Sequence, residues 1–327
     1  MAVVFVGTSA SDFIGGMSKY TGAAESRDTD YASEEIAADC RSNTVGDAFE
    51  TPEISISGNL MWIHFRVVFP TGSNFSSADG SFIEVEDASG DVLGGIDWHN
   101  GNMRALADSF EEGSVYSQSS GTVYTIDLKI DCSSGEETEL YVDGTLVSTA
   151  SSSGGASTPA VIKFKMDDMM GFGEPDAPMY ISEFLVDDAN TTIGCRVHTA
   201  TADSDGTYTE MAGTYTAVQD ASDTDTLLAD ANGERFSWNP PAYTGDVSGV
   251  SVRAVVVKSD VQTGVGGPNK FTPFLRIGST DYYGTQEDPG SGVPIVSFYS
   301  WADDPSTSAA WDIADVDDFE VGIRAET

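Results

Sequence analysis

Positive charge is what this sequence has least of. Fifteen Lys and Arg stand against 53 Asp and Glu, for a net charge of −38 at pH 7. A surface so acidic repels phosphate backbones and anionic lipid, so neither nucleic acid nor membrane insertion is expected. Cysteine is almost as rare. Cys40, Cys132 and Cys195 are three, an odd number, far apart and without a CxxC spacing. That excludes a disulfide-stapled scaffold and leaves buried free thiols as the expected state. No stretch approaches the length of a membrane-spanning helix. The opening "MAVVFVGTSASDF" has no positive start, and its apolar run from Ala2 to Val6 is too short for a leader core. The chain is therefore expected to be made in a cytoplasm and not to leave by secretion. Coiled-coil heptads, a fixed internal repeat, a GxSxG elbow and a phosphate-binding loop are also missing. "TGVGGPNK" (263–270) is glycine-rich, but no helix follows it to hold a phosphate.

What is present is β-pattern. Glycine is plentiful at 34 residues, and 40 % of the chain is hydrophobic, enough for two cores. In "LMWIHFRVVF" (60–69), Trp62, His64, Arg66 and Val68 fall on one face and Met61, Ile63, Phe65 and Val67 on the other. "SFIEVED" (81–87), "DVLGGIDW" (91–98), "NMRALAD" (102–108), "GTVYTIDLKID" (121–131), "PAVIKFKM" (159–166) and "PMYISEFLVDD" (179–188) read as further strands. "EISISG" (53–58) and "GSVYSQ" (113–118) do too. "ELYVDGTLVSTA" (139–150) reads as a hairpin turning at Asp143-Gly144. Residues 1–30 look like an N-terminal arm or an opening strand plus loop, and 31–39 like a short helix or strand. Polar small residues in "HTATADSDGTY" (198–208) mark the boundary between domains 1–198 and 199–327. The second domain also reads as β. Its strands are expected in "TYTAVQD" (214–220), "RFSWN" (235–239), "SGVSVRAVVVKSD" (248–260), "FTPFLRIGSTDYYGT" (271–285, turning at Gly278) and "VPIVSFYSWAD" (293–303). "IADVDDFEVG" (313–322) is the one short helix expected. The fold class is all-β: two β-sandwich domains.

The run "YTIDLKIDCSSGEETELYVDGTLVSTA", with "WIHFRVVF" before it and "MYISEFLVDDANTTIGCRV" after, resembles the core of a concanavalin A-like or laminin-G-like jelly roll over residues 45–197. The segments from "ISEFLVDDANTTIGCRV" to "DPSTSAAWDIADVDDFEVGIRAE", with Asp304, Pro305, Ala310, Trp311, Asp315, Val316 and Gly322, resemble modules of tailed-bacteriophage virion proteins over residues 180–327. The resemblance implies a non-enzymatic virion protein. It would be a tail-fibre or baseplate adhesin touching host-surface glycans, or alternatively a capsid decoration or head-fibre protein. Other virion proteins are the implied partners. A homo-oligomer, a trimer by analogy with fibres, is implied as well. Release would be by lysis.

No catalytic residue is assigned. Glu84, Glu86 and Asp87 could supply the paired carboxylates of a glycan hydrolase, the third reading, but do not keep the expected strand pattern. In "DWHNGN", Trp98 could stack on a sugar ring while His99, Asn100 and Asn102 hydrogen-bond its hydroxyls; the alternative is a structural turn with Trp98 in the core. His64 is expected to be packed or at a rim. For Ca²⁺, "DDANTT" (187–192) and "DASDTDT" (220–226) are oxygen-rich loops without EF-hand spacing. Asp187 and Asp188 are cation ligands by resemblance only, with a turn cap as the alternative.

Overall fold

The computed structural model describes residues 3–7, 12–15, 18–19, 36–38, 48–68, 80–108, 111–119, 121–155, 157–165, 179–219, 226–243, 248, 250–263, 266–290 and 295–327. Cys40 and nearly all of the "DASDTDT" loop lie outside them. The chain divides into two compact units, Met1–Thr199 and Ala200–Thr327.

The first unit contains β1 (Val3–Gly7), β2 (Ile14–Gly15), β3 (Ser18–Lys19), β4 (Ile36–Ala38), β5 (Ala48–Glu50), β6 (Leu60–Val68), β7 (Gly80–Asp87) and β8 (Val92–His99). It continues with β9 (Asn102–Ala107), β10 (Glu111–Glu112), β11 (Val123–Asp131), β12 (Glu136–Val142), β13 (Thr145–Ser152), β14 (Pro159–Lys165) and β15 (Met179–Asp187). All pair antiparallel. The larger sheet runs β13-β12-β11-β6-β15-β4-β3, with β1 also on β15. The smaller runs β10-β9-β8-β7-β14-β5-β2. The two face each other as a jelly-roll sandwich. The opening residues are thus a strand rather than an arm: Val3, Phe5 and Val6 are buried and β1 is laddered to β15.

Alternation explains the core. Met61, Ile63, Phe65 and Val67 are fully buried between the sheets, as are Ile126, Leu128 and Ile130 from β11. Aromatic rings carry most of the contact between layers. Phe65 and Phe184 of the larger sheet meet Phe164 of the smaller at 6.0 and 5.7 Å, and Phe65 meets Phe82 at 6.3 Å. Such pairs add to plain burial through edge-to-face geometry. At one side the sheets are zipped together. The Ala105 amide donates to Ser148 Oγ at 2.9 Å, and Ser114 Oγ donates to the Val147 carbonyl at 3.1 Å. Gly113 is needed there, because a Cβ would lie 2.4 Å from Ser148 Oγ. "EISISG" is not a strand. Its backbone runs beside β14, with Thr51 and Ile54 amides bonding Ile162 and Ala160 carbonyls.

The second unit contains β16 (Ser204–Thr209), β17 (Arg235–Asn239), β18 (Val255–Val261), β19 (Lys270–Ile277), β20 (Thr280–Tyr283), β21 (Ile295–Trp301), β22 (Asp303–Asp304), β23 (Ala309–Ala310) and β24 (Phe319–Glu326). A five-stranded sheet, β16-β17-β24-β19-β20, is packed by the β18-β21 ribbon through Val257, Leu275, Trp301, Trp311 and Phe319. The Trp311 indole donates to the Trp301 carbonyl at 2.8 Å. Gly322 is fixed by packing, since a Cβ would fall 2.2 Å from the Phe274 ring. The Gly278 turn joins β19 to β20 as expected, with Ile277 opposite Thr280. Two expectations fail. "TYTAVQD" holds a 3₁₀ turn (Tyr215–Val218), and the expected helix at 313–322 is a 3₁₀ turn (Asp315–Asp317) followed by the start of β24. At the second, short polar side chains bond nearby backbone, Asp315 taking the Asp312 amide and Asp312 the Ala314 amide, instead of extending a helix.

Phe184 contacts rings from both sheets, so Phe184→Ala should cost about 3–5 kcal/mol. Urea unfolding followed by fluorescence measures it, and a loss below about 1 kcal/mol would mean the cluster is not the core. The second unit should be acid-sensitive. Asp281, Glu320 and Asp304 lie below their ordinary values although burial alone would raise them: hydrogen bonds and arginines outweigh it at Asp281 and Glu320, and hydrogen bonds from Ser306 and Thr307 outweigh it at Asp304. Depressed carboxylates contribute stability that is complete above 3.8 for Asp and 4.5 for Glu, and that is lost as pH falls through the lower folded values. Relief of the overall negative repulsion acts in the opposite direction. Protection factors of amides in β17, β19 and β24, corrected for the intrinsic pH dependence of exchange, should therefore fall below about pH 4; unchanged protection there would contradict these pairings.

Candidate functional site

The expected glycan loop is a turn. Asn100 and Gly101 take φ values of 48° and 73°, closing β8 onto β9 with His99 opposite Asn102. This is the primed two-residue turn that Asn-Gly favours. The Asn102 amide donates to the His99 and Asn100 carbonyls at 3.3 and 3.0 Å, and its oxygen accepts from Ser117 Oγ at 2.6 Å. The Asn100 amide nitrogen lies 2.9 Å from His99 Nε2. Trp98 is 0 % exposed and packs 6.1 Å from Phe82. Its ring is core, so it offers no face to a sugar, which corrects the expectation for Trp98. His99, Asn100 and Asn102 serve the turn.

Asp187 and Asp188 each commit one carboxylate oxygen to holding the fold. Asp187 Oδ1 accepts from the Ala189 and Asn190 amides at 2.8 and 2.7 Å, an aspartate turn at the end of β15. Asp188 Oδ2 takes the Ser57 amide and hydroxyl at 2.8 and 2.7 Å. No group of three or more His, Cys, Asp or Glu suited to a metal ion occurs among the described residues. Glu84 and Glu86 are each taken by a lysine, Lys165 and Lys163, at 2.5 Å. The Cys132 thiol is pushed up to about 12 by burial, with Glu136 and Asp131 adding to it, so it is not a nucleophile at neutral pH.

The site with the richest chemistry lies on the outer face of the larger sheet. Register places Trp62 opposite Lys129 and Lys129 opposite Glu139; one step along, His64 is opposite Asp127 and Asp127 opposite Tyr141. Half of this face is covered. The segment 188–197, following β15, crosses it as a strap. Thr192 Oγ1 donates to Asp127 Oδ1 at 2.8 Å, and Asp127 also bonds His64 Nδ1 at 2.8 Å, all three residues being 0 % exposed. Arg196 returns the strap to Glu183 with two 2.7 Å contacts. His64 is thus the packed histidine expected.

The other half is open. The Tyr141 ring lies 5.7 Å from Trp62, tilted by 38°. Trp62 backs it, buried, while Tyr141 is partly exposed. The Tyr141 hydroxyl donates to Glu139, and Lys129 Nζ donates to Glu139 at 2.9 Å and Glu137 at 3.2 Å. Burial and the Glu139 carboxylate push the Tyr141 phenol from 10.0 up to about 12. For Glu139, burial is outweighed by bonds from Tyr141 and Lys129, which hold it low. For Lys129, burial is outweighed by the two glutamates, which hold it high. The result is an aromatic surface rimmed by fixed acceptors and one ammonium. It can stack on an apolar ring face and bond hydroxyls. Sequence reading missed it because Trp62 and Tyr141 meet only across β11.

No family model matches the sequence, and no curated protein matches it. Solved structures similar in part include the receptor binding domain of botulinum neurotoxin D (11 % identity, TM-score 0.37, 54 % of this chain and 45 % of that one). Cellulose induced protein Cip1 is similar at 12 % identity and TM-score 0.37, over 54 % of this chain and 86 % of that one. Domain 4 of AbnA, a GH43 extracellular arabinanase from Geobacillus stearothermophilus solved with arabinotriose, is similar at 13 % identity and TM-score 0.34, over 53 % of this chain and 75 % of that one. The chain spans less than half the length of the toxin domain, and these likenesses assign no activity to it.

Because Glu139 is part of what holds the phenol up, Glu139→Gln should lower the Tyr141 titration from near 12 toward 10.0. Ultraviolet phenolate titration, with Tyr141→Phe as the subtracted reference, reads this. An unshifted step would detach Tyr141 from Glu139.

Proposed function

We propose that this chain is a non-enzymatic binding protein that holds carbohydrate on the Tyr141 face of its first domain. The observation that supports the reading is the Tyr141–Trp62 pair set among Lys129, Glu137 and Glu139. A pyranose ring has one apolar face for the aromatic ring and equatorial hydroxyls for the acceptors. One such site is shallow and weak, so useful adhesion requires many copies displayed together. The narrower part of the proposal follows the sequence resemblance. It places these copies on a bacteriophage particle as a tail-fibre or baseplate adhesin touching host-surface glycans, built as a homo-oligomer with other virion proteins.

Tyr141→Ala should weaken binding on a glycan array by about tenfold, the loss of one stacked ring, with circular dichroism unchanged. Equal binding by this variant would move the site elsewhere. Cryo-electron microscopy of purified particles with antibody label tests the placement; a protein absent from virions would end that part while leaving the glycan result standing.

A further inference from the structure

The second domain carries a cavity of about 280 Å³ that the first domain's site does not use. It lies where three neighbouring strands end. Asn239 and Pro240 come from the end of β17, Arg276 from β19 before the Gly278 turn, and Asp317, Asp318 and Glu320 from the start of β24. Most of these groups are held in place. Arg276 Nη1 donates to Asp281 at 2.7 Å and to the Tyr208 hydroxyl at 3.0 Å, with its guanidinium 5.0 Å from the Tyr208 ring. Glu320 is gripped by Ser237 Oγ at 2.6 Å and by the Thr207 amide and hydroxyl at 2.7 and 2.6 Å. Asp317 takes the Tyr243 amide at 2.8 Å.

Two groups are unfinished. Arg276 is only 14 % exposed, yet its Nε is buried with no hydrogen-bond partner. A buried guanidinium N–H left this way carries a desolvation cost that an acceptor would relieve. Asp318 is exposed at the rim, and its carboxylate has no hydrogen bond among the described residues. A ligand that brought an acceptor to Arg276 and replaced the water on Asp318 with a donor of its own would engage both. Three carboxylates around the opening repel an anion, and a bare cation offers no acceptor to the Arg276 Nε–H. A hydroxyl meets both demands, because it donates and accepts. The volume is at the small end of ligand pockets, about 300 Å³ and upward, which suits one sugar ring.

We propose that this cavity binds a single neutral pyranose unit through paired hydroxyls, between Arg276 and Asp318. The proposal does not rest on the Tyr141 site. Ligand-observed NMR on the full chain carrying Tyr141→Ala tests it, with neutral methyl hexosides, glucosamine and inorganic phosphate as probes. The expected result is saturable binding of a neutral hexoside, weakened at least about fivefold by adding Asp318→Ala, the loss of one hydrogen bond to a charged group. Asp318 supports no other residue, so the fold should survive the change. Preference for phosphate or glucosamine, equal binding without the Asp318 carboxylate, or no saturable binding would each overturn it. If the unsubstituted chain binds hexoside and the Tyr141→Ala chain does not, the Tyr141 reading stands and this one falls.

Discussion

A buried carboxylate has to be paired, and the outer face of the first domain is organised around that requirement at Glu183. This residue is 1 % exposed and takes φ 56°, at the irregularity between Ser182 and Leu185 where β15 slips against β6. The slip turns an acidic side chain that ordinary pleating would place elsewhere toward Arg66, Arg196 and the Val197 amide, at 3.4, 2.7 and 3.2 Å. Taking one arginine away would strand a charge in low dielectric, which is far worse than never having had the pair. Through Arg196 the clamp fixes where the strap returns, and so where Thr192 meets Asp127. Bulge, clamp and strap together decide that His64 is sealed while Tyr141 stays open.

The scarce cations have a second significance. Lys129, Lys163, Lys165, Arg66, Arg104, Arg196, Arg235 and Arg276 all sit in ion pairs with neighbouring carboxylates. They neutralise carboxylates at points the fold must hold together. Outside these pairs and the buried Asp12, Asp127, Glu136, Asp187, Asp188 and Asp304, most described acidic residues reach the surface, and the net charge of −38 makes the long-range field strongly negative. Anionic partners are then disfavoured before contact.

How much could be read from the chain depended on distance along it. The Leu60–Val68 alternation, the Asp143-Gly144 turn (φ 51° and 73°) and the Gly278 turn are local, and each is found. The β-sandwich class follows from many such local signals. "EISISG" alternates as strictly as any strand, yet it only runs beside β14, because ladder pairing is set by the partner strand as well as by pattern. Trp98 looked like a platform because its neighbours are turn residues; the pleat points it inward all the same. The Tyr141 face needed the register of β6, β11 and β12 together, which no single stretch contains. The one available hint was Trp62 on the polar side of its strand.

The zipped side of the first sandwich sets how the molecule behaves when crowded. Strand edges are where β-proteins join into fibres, and here β13 and β10 bring their edges together through Ser148, Ser114 and Gly113. A protein packed side by side at high density would otherwise grow sheets from copy to copy. With that seam stitched internally, this side of the sandwich offers no free ladder to a neighbouring copy.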